Sequence, residues 1–227
     1  MSRHPRSVGA PPPAVEDFVA YAYNLAGMSV GAGQSIGVLG GTYDPFHFGH
    51  LAVALEVRHA LDLDRILLVV ANDPWQKSAR STITSAPIRL AMVTAAVEGL
   101  AGIEASAVEI ERGGESYMAD TLQTLRREHE PCDLFLIVGS DTAAGLDTWE
   151  RPDEVRTAAT TIVVDRSGRE DGRPPPGWDH IVVEVPSLDI SSSDIRARFA
   201  DGRPVEAIVP EPVITLIRTE GLYGARR

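Results

Sequence analysis

The order of apolar and polar positions predicts strands and helices that alternate along the chain from residue 36 onward. A strand is predicted where apolar residues run together, because a strand buried on both faces of a sheet has no polar face. A helix is predicted where apolar residues recur every three or four positions, as at Leu51, Ala54 and Leu55. The predicted strands are 36–39, 65–70, 103–110, 134–138, 161–164 and 181–185, and the predicted helices are 49–61, 87–98, 118–128, 149–157, 191–199 and 212–220. This alternation predicts an α/β fold, with a doubly wound parallel sheet in a single domain.

Two segments are expected to lie outside that pattern. Residues 1–34 are rich in Pro, Gly and Ala, with one amphipathic stretch at 14–25, and are interpreted as an N-terminal extension, partly disordered or a short helix. The domain itself is predicted to occupy residues 35–227. Within it, the polar segment near 166–179 contains three consecutive prolines and is predicted to be a mobile loop.

Composition and charge narrow the classes of partner. The formal net charge of −11 argues against binding to nucleic acid or an anionic membrane, since both are polyanions. A single cysteine, Cys132, excludes an intramolecular disulfide and a cysteine-rich metal site, so a cytoplasmic setting is expected. No apolar run is long enough for a membrane span, which needs about 20 residues. The sequence leaves the oligomeric state open, a homo-oligomer included.

The turn after the first predicted strand carries the most informative chemistry. The strand 36–39 runs into residues 40–50, where Gly40 and Gly41 let backbone N–H groups approach a ligand closely. His47 and His50 follow where a helix begins, and a helix N-terminus with two imidazoles favours phosphate. A zinc site is the alternative for two histidines at this spacing, but no third ligand is evident. The earlier glycines at 31–37 precede a strand instead of following one, so they are not a dinucleotide-binding fingerprint.

A second polar cluster lies near the C-terminus, at residues 190–196. Ser191, Ser192 and Ser193 offer hydroxyls and free backbone N–H groups at a helix start, and Arg196 follows about one turn later. A triphosphate would be well placed there. The alternative is a plain serine cap beside a solvated arginine.

Three further residues are candidates for substrate contacts. Asp141 follows Gly139 at the end of a predicted strand, where open α/β sheets bind ligands, and it can also serve as a helix cap. Trp149 can stack on an aromatic ring or belong to the core. Lys77 is the only lysine among 21 basic residues, and it follows Trp75 closely.

These motifs together resemble a known enzyme family. Residues 40–50, Gly-Gly-Thr-Tyr-Asp-Pro-Phe-His-Phe-Gly-His, resemble the GG-T/S-F-D-P-x-H-x-G-H signature of nucleotidyltransferases that share the HxGH motif. Residues 190–196 resemble the I-S-S-T-x-I-R signature of the same enzymes, and residues 116–122 resemble S-Y-T-x-D-T-L. With Pro-Trp-Gln-Lys at 74–77, the chain from 36 to 223 resembles the bacterial nicotinate-mononucleotide adenylyltransferases.

The resemblance implies a Rossmann-like fold of the nucleotidyltransferase type and transfer of the adenylyl group of ATP to nicotinate mononucleotide. It implies catalytic roles for His47, His50, Lys77 and Arg196. The ATP-binding residues that it implies are Gly40, Gly41, Thr42, His50, Gly139, Asp141, Ile190, Ser192, Ser193 and Arg196. The acceptor-binding residues are Tyr43, Asp44, Trp75, Lys77, Met118 and Trp149. Mg²⁺ is expected as the cofactor, held mainly by the ATP phosphates and not by protein ligands.

Two departures from the family pattern leave the acceptor open. Asn72-Asp73 adds a carboxylate where the approach to Pro-Trp-Gln-Lys is usually neutral in the family. Met118 stands where the family usually has a threonine that helps to recognise the nicotinate carboxylate. Nicotinamide mononucleotide is therefore an alternative acceptor. Other HxGH families, the pantetheine-phosphate adenylyltransferases and glycerol-phosphate cytidylyltransferases, are shorter and lack the Gly-Ser-Asp to Trp pattern. A non-catalytic nucleotide-binding regulator is the alternative from a different class, against which the intact motif residues weigh.

Overall fold

A six-stranded parallel sheet forms the centre of the described part of the chain. The structure is a computed structural model, and it describes residues 33–74, 83–166 and 172–225. The strands are β1 (Gln34–Gly41), β2 (Arg65–Val70), β3 (Ile103–Ser106), β4 (Cys132–Gly139), β5 (Thr160–Arg166) and β6 (His180–Val185). Their order across the sheet is β3-β2-β1-β4-β5-β6. This is the order of a doubly wound Rossmann-like sheet, so the predicted fold class is confirmed.

Helices cover both faces of the sheet. In chain order they are α1 (Phe48–Ala60), α2 (Ala86–Val97), α3 (Val108–Arg112), α4 (Met118–His129), α5 (Ser140–Ala143), α6 (Pro152–Ala158), α7 (Ser192–Asp201) and α8 (Glu211–Glu220). Helices α1 and α2 bury their apolar residues on one face, and α3 to α6 bury theirs on the other. Helices α7 and α8 pack with α2 in a third apolar cluster. A parallel sheet needs cover on both faces, which explains the apolar character of its central strands.

Two predicted elements differ from the structure. The strand expected over 103–110 ends at Ser106, and Val108–Arg112 is a short helix, so the prediction is wrong beyond residue 106. Apolar residues at Val108 and Ile110 alternate with glutamates, which imitates the period of a strand. The helix expected over 149–157 begins at Pro152, and Trp149 instead follows a single 3-10 turn, Leu146–Thr148.

The predicted loop near 166–179 is described only in part. Residues 167–171 lie outside the described ranges. In the described remainder, Trp178 is buried in the core, and its indole N–H donates to Asp147 at 2.6 Å. The helix expected over 14–25 also lies outside the described residues, and the division at residue 34 stays a prediction. Within the described ranges, no helix is both long enough and apolar enough to cross a membrane.

Candidate active site

The carboxyl ends of β1 and β4 lie side by side at the centre of the sheet, with Leu39 paired to Ile137. From β1 the chain proceeds to β2 on one side, while β4 and β5 lie on the other, so this is the point where the strand order reverses. Ligands bind at such points in open α/β sheets. Two cavities open here and share Leu39, Ile137, Val138 and Gly139 in their walls.

The two cavities have different linings. The β2-side cavity, of about 330 Å³, is bounded by Gly40 to Thr42, by the start of α4 and by Trp149. The β5-side cavity, of about 240 Å³, is bounded by His50, Asp141 and Arg166. Two ligands could therefore meet over the ends of β1 and β4, one from each side.

Gly40 and Gly41 end β1, and packing against the buried Tyr43 ring requires a glycine at position 41. A Cβ at Gly41 would lie 2.7 Å from the Tyr43 ring, and one at Gly40 would lie 3.0 Å from the terminal methyl of Met118. Tyr43 is buried, and its hydroxyl donates to the Leu39 carbonyl at 2.6 Å. Burial raises the pKa of Tyr43, so its hydroxyl stays protonated. Tyr43 thus supports the turn from beneath and lines neither cavity.

His47 and His50 form a stacked pair at the start of α1. Their ring centroids lie 3.7 Å apart, and the backbone N–H of His47 donates to Nδ1 of His50 at 3.3 Å. His47 is only 5% exposed, and burial, with the nearby charge of Arg166, lowers its pKa to about 4. Its Nδ1 has no hydrogen-bond partner among the described residues. A neutral imidazole with an unused nitrogen is therefore held beside His50, which lines the β5-side cavity.

Asp44 connects the turn to the rest of the molecule. Its carboxylate accepts a short hydrogen bond from the Tyr223 hydroxyl and a longer one, 3.4 Å, from the Thr84 backbone N–H. Its backbone carbonyl accepts from Arg196 at 2.6 Å. Asp44 is buried and lines neither cavity. The contacts that the structure describes for Asp44 are those of a scaffold residue, so its predicted acceptor contact rests on the family resemblance alone.

The start of α7 lies against the same turn. Ser191 caps the helix by accepting from the Asp194 N–H at 3.1 Å, while the Ser192 hydroxyl donates to the Pro45 carbonyl at 2.9 Å. A Cβ at Gly49 would lie 3.8 Å from Ile190. The two motifs, about 140 residues apart in sequence, are thereby brought together.

The segment that follows β4 supplies one predicted residue to each cavity. Asp141 lines the β5-side cavity and accepts from the Thr142 backbone N–H at 2.9 Å. Trp149 lines the β2-side cavity and packs on the core below it. Met118, the first residue of α4, lies in the same wall. Trp75 and Lys77 lie outside the described residues, so their predicted roles are not placed.

A buried arginine was not anticipated from the sequence. Arg89 is 1% exposed and donates to three backbone carbonyls: Thr42 at 2.7 Å, Thr84 at 2.7 Å and Asn72 at 3.2 Å. Burial lowers its pKa, partly opposed by the charge of Asp44. The sequence contained one signal of this burial. Arg89 lies three residues after Ala86 and four before Val93, both buried, and residues at this spacing share a helix face.

Glu109 is the second residue that sequence reasoning missed. It is 4% exposed in α3, its Oε1 accepts from the Thr121 hydroxyl at 2.6 Å, and it lines the β2-side cavity. No local pattern signals this burial, because Glu109 stands in an alternating run of apolar and acidic residues.

The donors around the β5-side cavity suit phosphate better than a metal ion. They are imidazole, hydroxyl and guanidinium groups, whereas Mg²⁺ prefers carboxylate and water oxygens. Among the described residues, no group of three or more His, Cys, Asp or Glu side chains could hold a metal ion.

Comparison with known proteins gives consistent matches. Residues 38–198 match the cytidylyltransferase-like family model. A protein of Corynebacterium kroppenstedtii described as a probable nicotinate-nucleotide adenylyltransferase is 40% identical over 191 residues, covering 83% of this chain and 90% of its own. A protein of Streptomyces coelicolor with the same description is 41% identical over 188 residues, covering 82% and 98%.

Solved structures agree on the fold. The nicotinic acid mononucleotide adenylyltransferase of Plasmodium falciparum, complexed with NaAD, superimposes with a TM-score of 0.70 and 18% identity, covering 85% of this chain and 98% of its own. The complex of that enzyme with APC has a TM-score of 0.68. At this level of identity the likeness concerns the fold.

Proposed function

The chain belongs to the cytidylyltransferase-like family and, within it, to the nicotinate-nucleotide adenylyltransferases, and we propose that it transfers the adenylyl group of ATP to nicotinate mononucleotide. The products are the deamido dinucleotide and pyrophosphate. The observation that carries this proposal is the pair of cavities that share the ends of β1 and β4. One cavity takes each substrate, and their reacting phosphates meet over the turn at Gly40 to Thr42.

The reaction is an in-line displacement without a covalent enzyme intermediate. A 5′-phosphate oxygen of the mononucleotide attacks the α-phosphorus of ATP, the bond to the bridging oxygen breaks, and pyrophosphate leaves. Holding two polyanions in this alignment can contribute about 7–11 kcal/mol to lowering the barrier. The chain's task is alignment and charge stabilisation, which a rigid turn between two cavities is suited to perform.

We assign ATP to the β5-side cavity. Asp141 accepts hydrogen bonds from the ribose hydroxyls, and His50 donates to the α- and β-phosphates from the cavity wall. His47, neutral at pH 7 because of its lowered pKa, donates through one ring N–H. Arg196 is half-buried and reaches the turn through Asp44, so its remaining N–H groups can bind the outer phosphates.

We assign the mononucleotide to the β2-side cavity, where Trp149 offers an aromatic wall and Met118 an apolar one. Lys77 is proposed to contact the phosphates from the segment outside the described residues. Mg²⁺ is proposed to enter with ATP, and when bound it would supply positive charge that offsets the charge of the phosphates.

The experiment is a pyrophosphate-release assay with ATP, Mg²⁺ and a panel of mononucleotides. Nicotinate mononucleotide is expected to be the best acceptor. A preference for nicotinamide mononucleotide would reassign the acceptor, and Met118 would then be the residue to change. Absence of pyrophosphate with every acceptor would contradict catalysis and favour a regulator that only binds nucleotides.

His50→Ala is expected to lower kcat by about 10²–10³ with little change in thermal stability, because it removes a donor aimed at developing charge. His59→Ala is the matched control, since His59 is exposed on the same helix and lies outside both cavities. It should retain wild-type turnover. Wild-type turnover in His50→Ala would exclude the proposed role.

A further inference from the structure

The described wall of the β2-side cavity is acidic and partly aromatic. Glu109 and Glu150 both line it, and no Lys, Arg or His is found among the described residues of its wall. The aromatic residues described in that wall are Tyr117 and Trp149. Carboxylates and aromatic faces together attract cations, and they do so more strongly where water is excluded.

Glu109 is the buried member of this set. Its Oε1 is occupied by the Thr121 hydroxyl, and no described residue forms an ion pair with the carboxylate. Of the nearby cations, Arg112 donates to the Thr121 hydroxyl at 3.1 Å, and Arg89 donates to three backbone carbonyls. A buried carboxylate is costly where no described cation contacts it directly, because its charge is removed from water. A positive charge on a bound ligand would offset that cost.

Nicotinate mononucleotide carries such a charge. Its ring nitrogen is bonded to the ribose, which makes the ring a pyridinium cation. We propose that Glu109 is a specificity-determining residue that recognises the positive pyridinium ring of the acceptor, with Trp149 beside it. The inference rests on the proposed function, because the acceptor is assigned to this cavity there.

The test compares two acceptors that differ in ring charge. One is nicotinate mononucleotide and the other is its 1,4-dihydro form, which has nearly the same shape and a neutral ring. Dissociation constants are measured by calorimetry in the presence of a non-reacting α,β-methylene ATP, and KM values by pyrophosphate release. Both are measured for the wild type, Glu109→Gln and Glu111→Gln. The amide introduced by Glu109→Gln keeps an oxygen for the Thr121 hydroxyl, and Glu111 is an exposed glutamate of the same helix.

Glu109→Gln is expected to weaken binding of nicotinate mononucleotide roughly tenfold, with the dihydro form and ATP little affected. Glu111→Gln should bind both acceptors as the wild type does. Equal weakening of the two acceptors would show a merely structural role and would overturn the proposal, as would unchanged binding of both. Charge-selective binding without pyrophosphate release would contradict the proposed reaction while supporting this recognition. A wild type that binds neither acceptor would overturn both.

Discussion

The lowered pKa of His47 has a consequence for stability. In the folded chain its pKa is about 4, whereas an unfolded histidine titrates near 6.5. Between these two values the unfolded state binds more protons than the folded state, so stability falls as pH decreases from about 6.5 towards 4. The contribution of one such group reaches at most about 1.4 kcal/mol per pH unit. Urea unfolding at a series of pH values measures it.

The variant His47→Asn removes this titration. Its free energy of unfolding is expected to decline less steeply than that of the wild type between pH 6.5 and 4. His59→Asn is the control, because His59 is exposed on the same helix and should leave the wild-type slope unchanged. Identical slopes for His47→Asn and the wild type would show that His47 is not held neutral by burial.

Single residues show what the sequence could reveal and what it could not. His47 and His50 were found because their motif is local, with every feature within eleven positions of the chain. Arg89 was missed because two of its three acceptors, the carbonyls of Thr42 and Asn72, are brought to it only by the folded chain. The spacing of Arg89 on its helix signals its burial, but the sequence does not show which distant carbonyls it binds.

At the scale of elements, two hydroxyls at the start of α7 have different surroundings, and that of Ser193 accepts from Arg196 at 3.3 Å. The Ser192 hydroxyl donates to the Pro45 carbonyl, whereas Ser193 is exposed. Ser192→Ala is expected to lower the free energy of unfolding by about 1 kcal/mol, the net value of one such hydrogen bond. Ser193→Ala should leave stability unchanged and raise KM for ATP. Urea unfolding and steady-state kinetics on both variants distinguish the two effects, and equal stabilities would contradict this division.

The elements themselves were predictable where local pattern and burial agree. Strand β2 was predicted with its observed bounds, Arg65–Val70, because its uninterrupted run of apolar residues begins directly after polar residues. The strand expected to continue to residue 110 is wrong beyond Ser106, because Val108 and Ile110 alternate with glutamates as in a strand, whereas the folded chain forms a helix that buries Glu109 against Thr121. That contact joins α3 to α4, and no local pattern encodes it.

At the scale of the whole molecule, alternation of strands and helices was enough to predict a parallel doubly wound sheet. The two cavities follow from the strand order, since the reversal point lies where β1 and β4 meet. The contribution of Tyr223, near the end of the described chain, could not be predicted, because it depends on the hydrogen bonds of its hydroxyl group. Tyr223 contacts both Asp44 and Thr84, which lie about 180 and 140 residues earlier.

Tyr223→Phe tests whether the hydrogen bonds of the Tyr223 hydroxyl stabilise the folded chain. The substitution leaves the buried Asp44 carboxylate without its hydroxyl donor, so the free energy of unfolding should fall by about 1–3 kcal/mol. Tyr117→Phe is the control, because the Tyr117 hydroxyl bonds to Glu115, an exposed carboxylate that water can solvate instead. Denaturant unfolding of both variants gives the comparison. If Tyr223→Phe were no less stable than Tyr117→Phe, the Tyr223 hydroxyl would not be what stabilises Asp44. The turn before His47 would then be held mainly by its hydrogen bonds to Arg196 and Ser192 of α7.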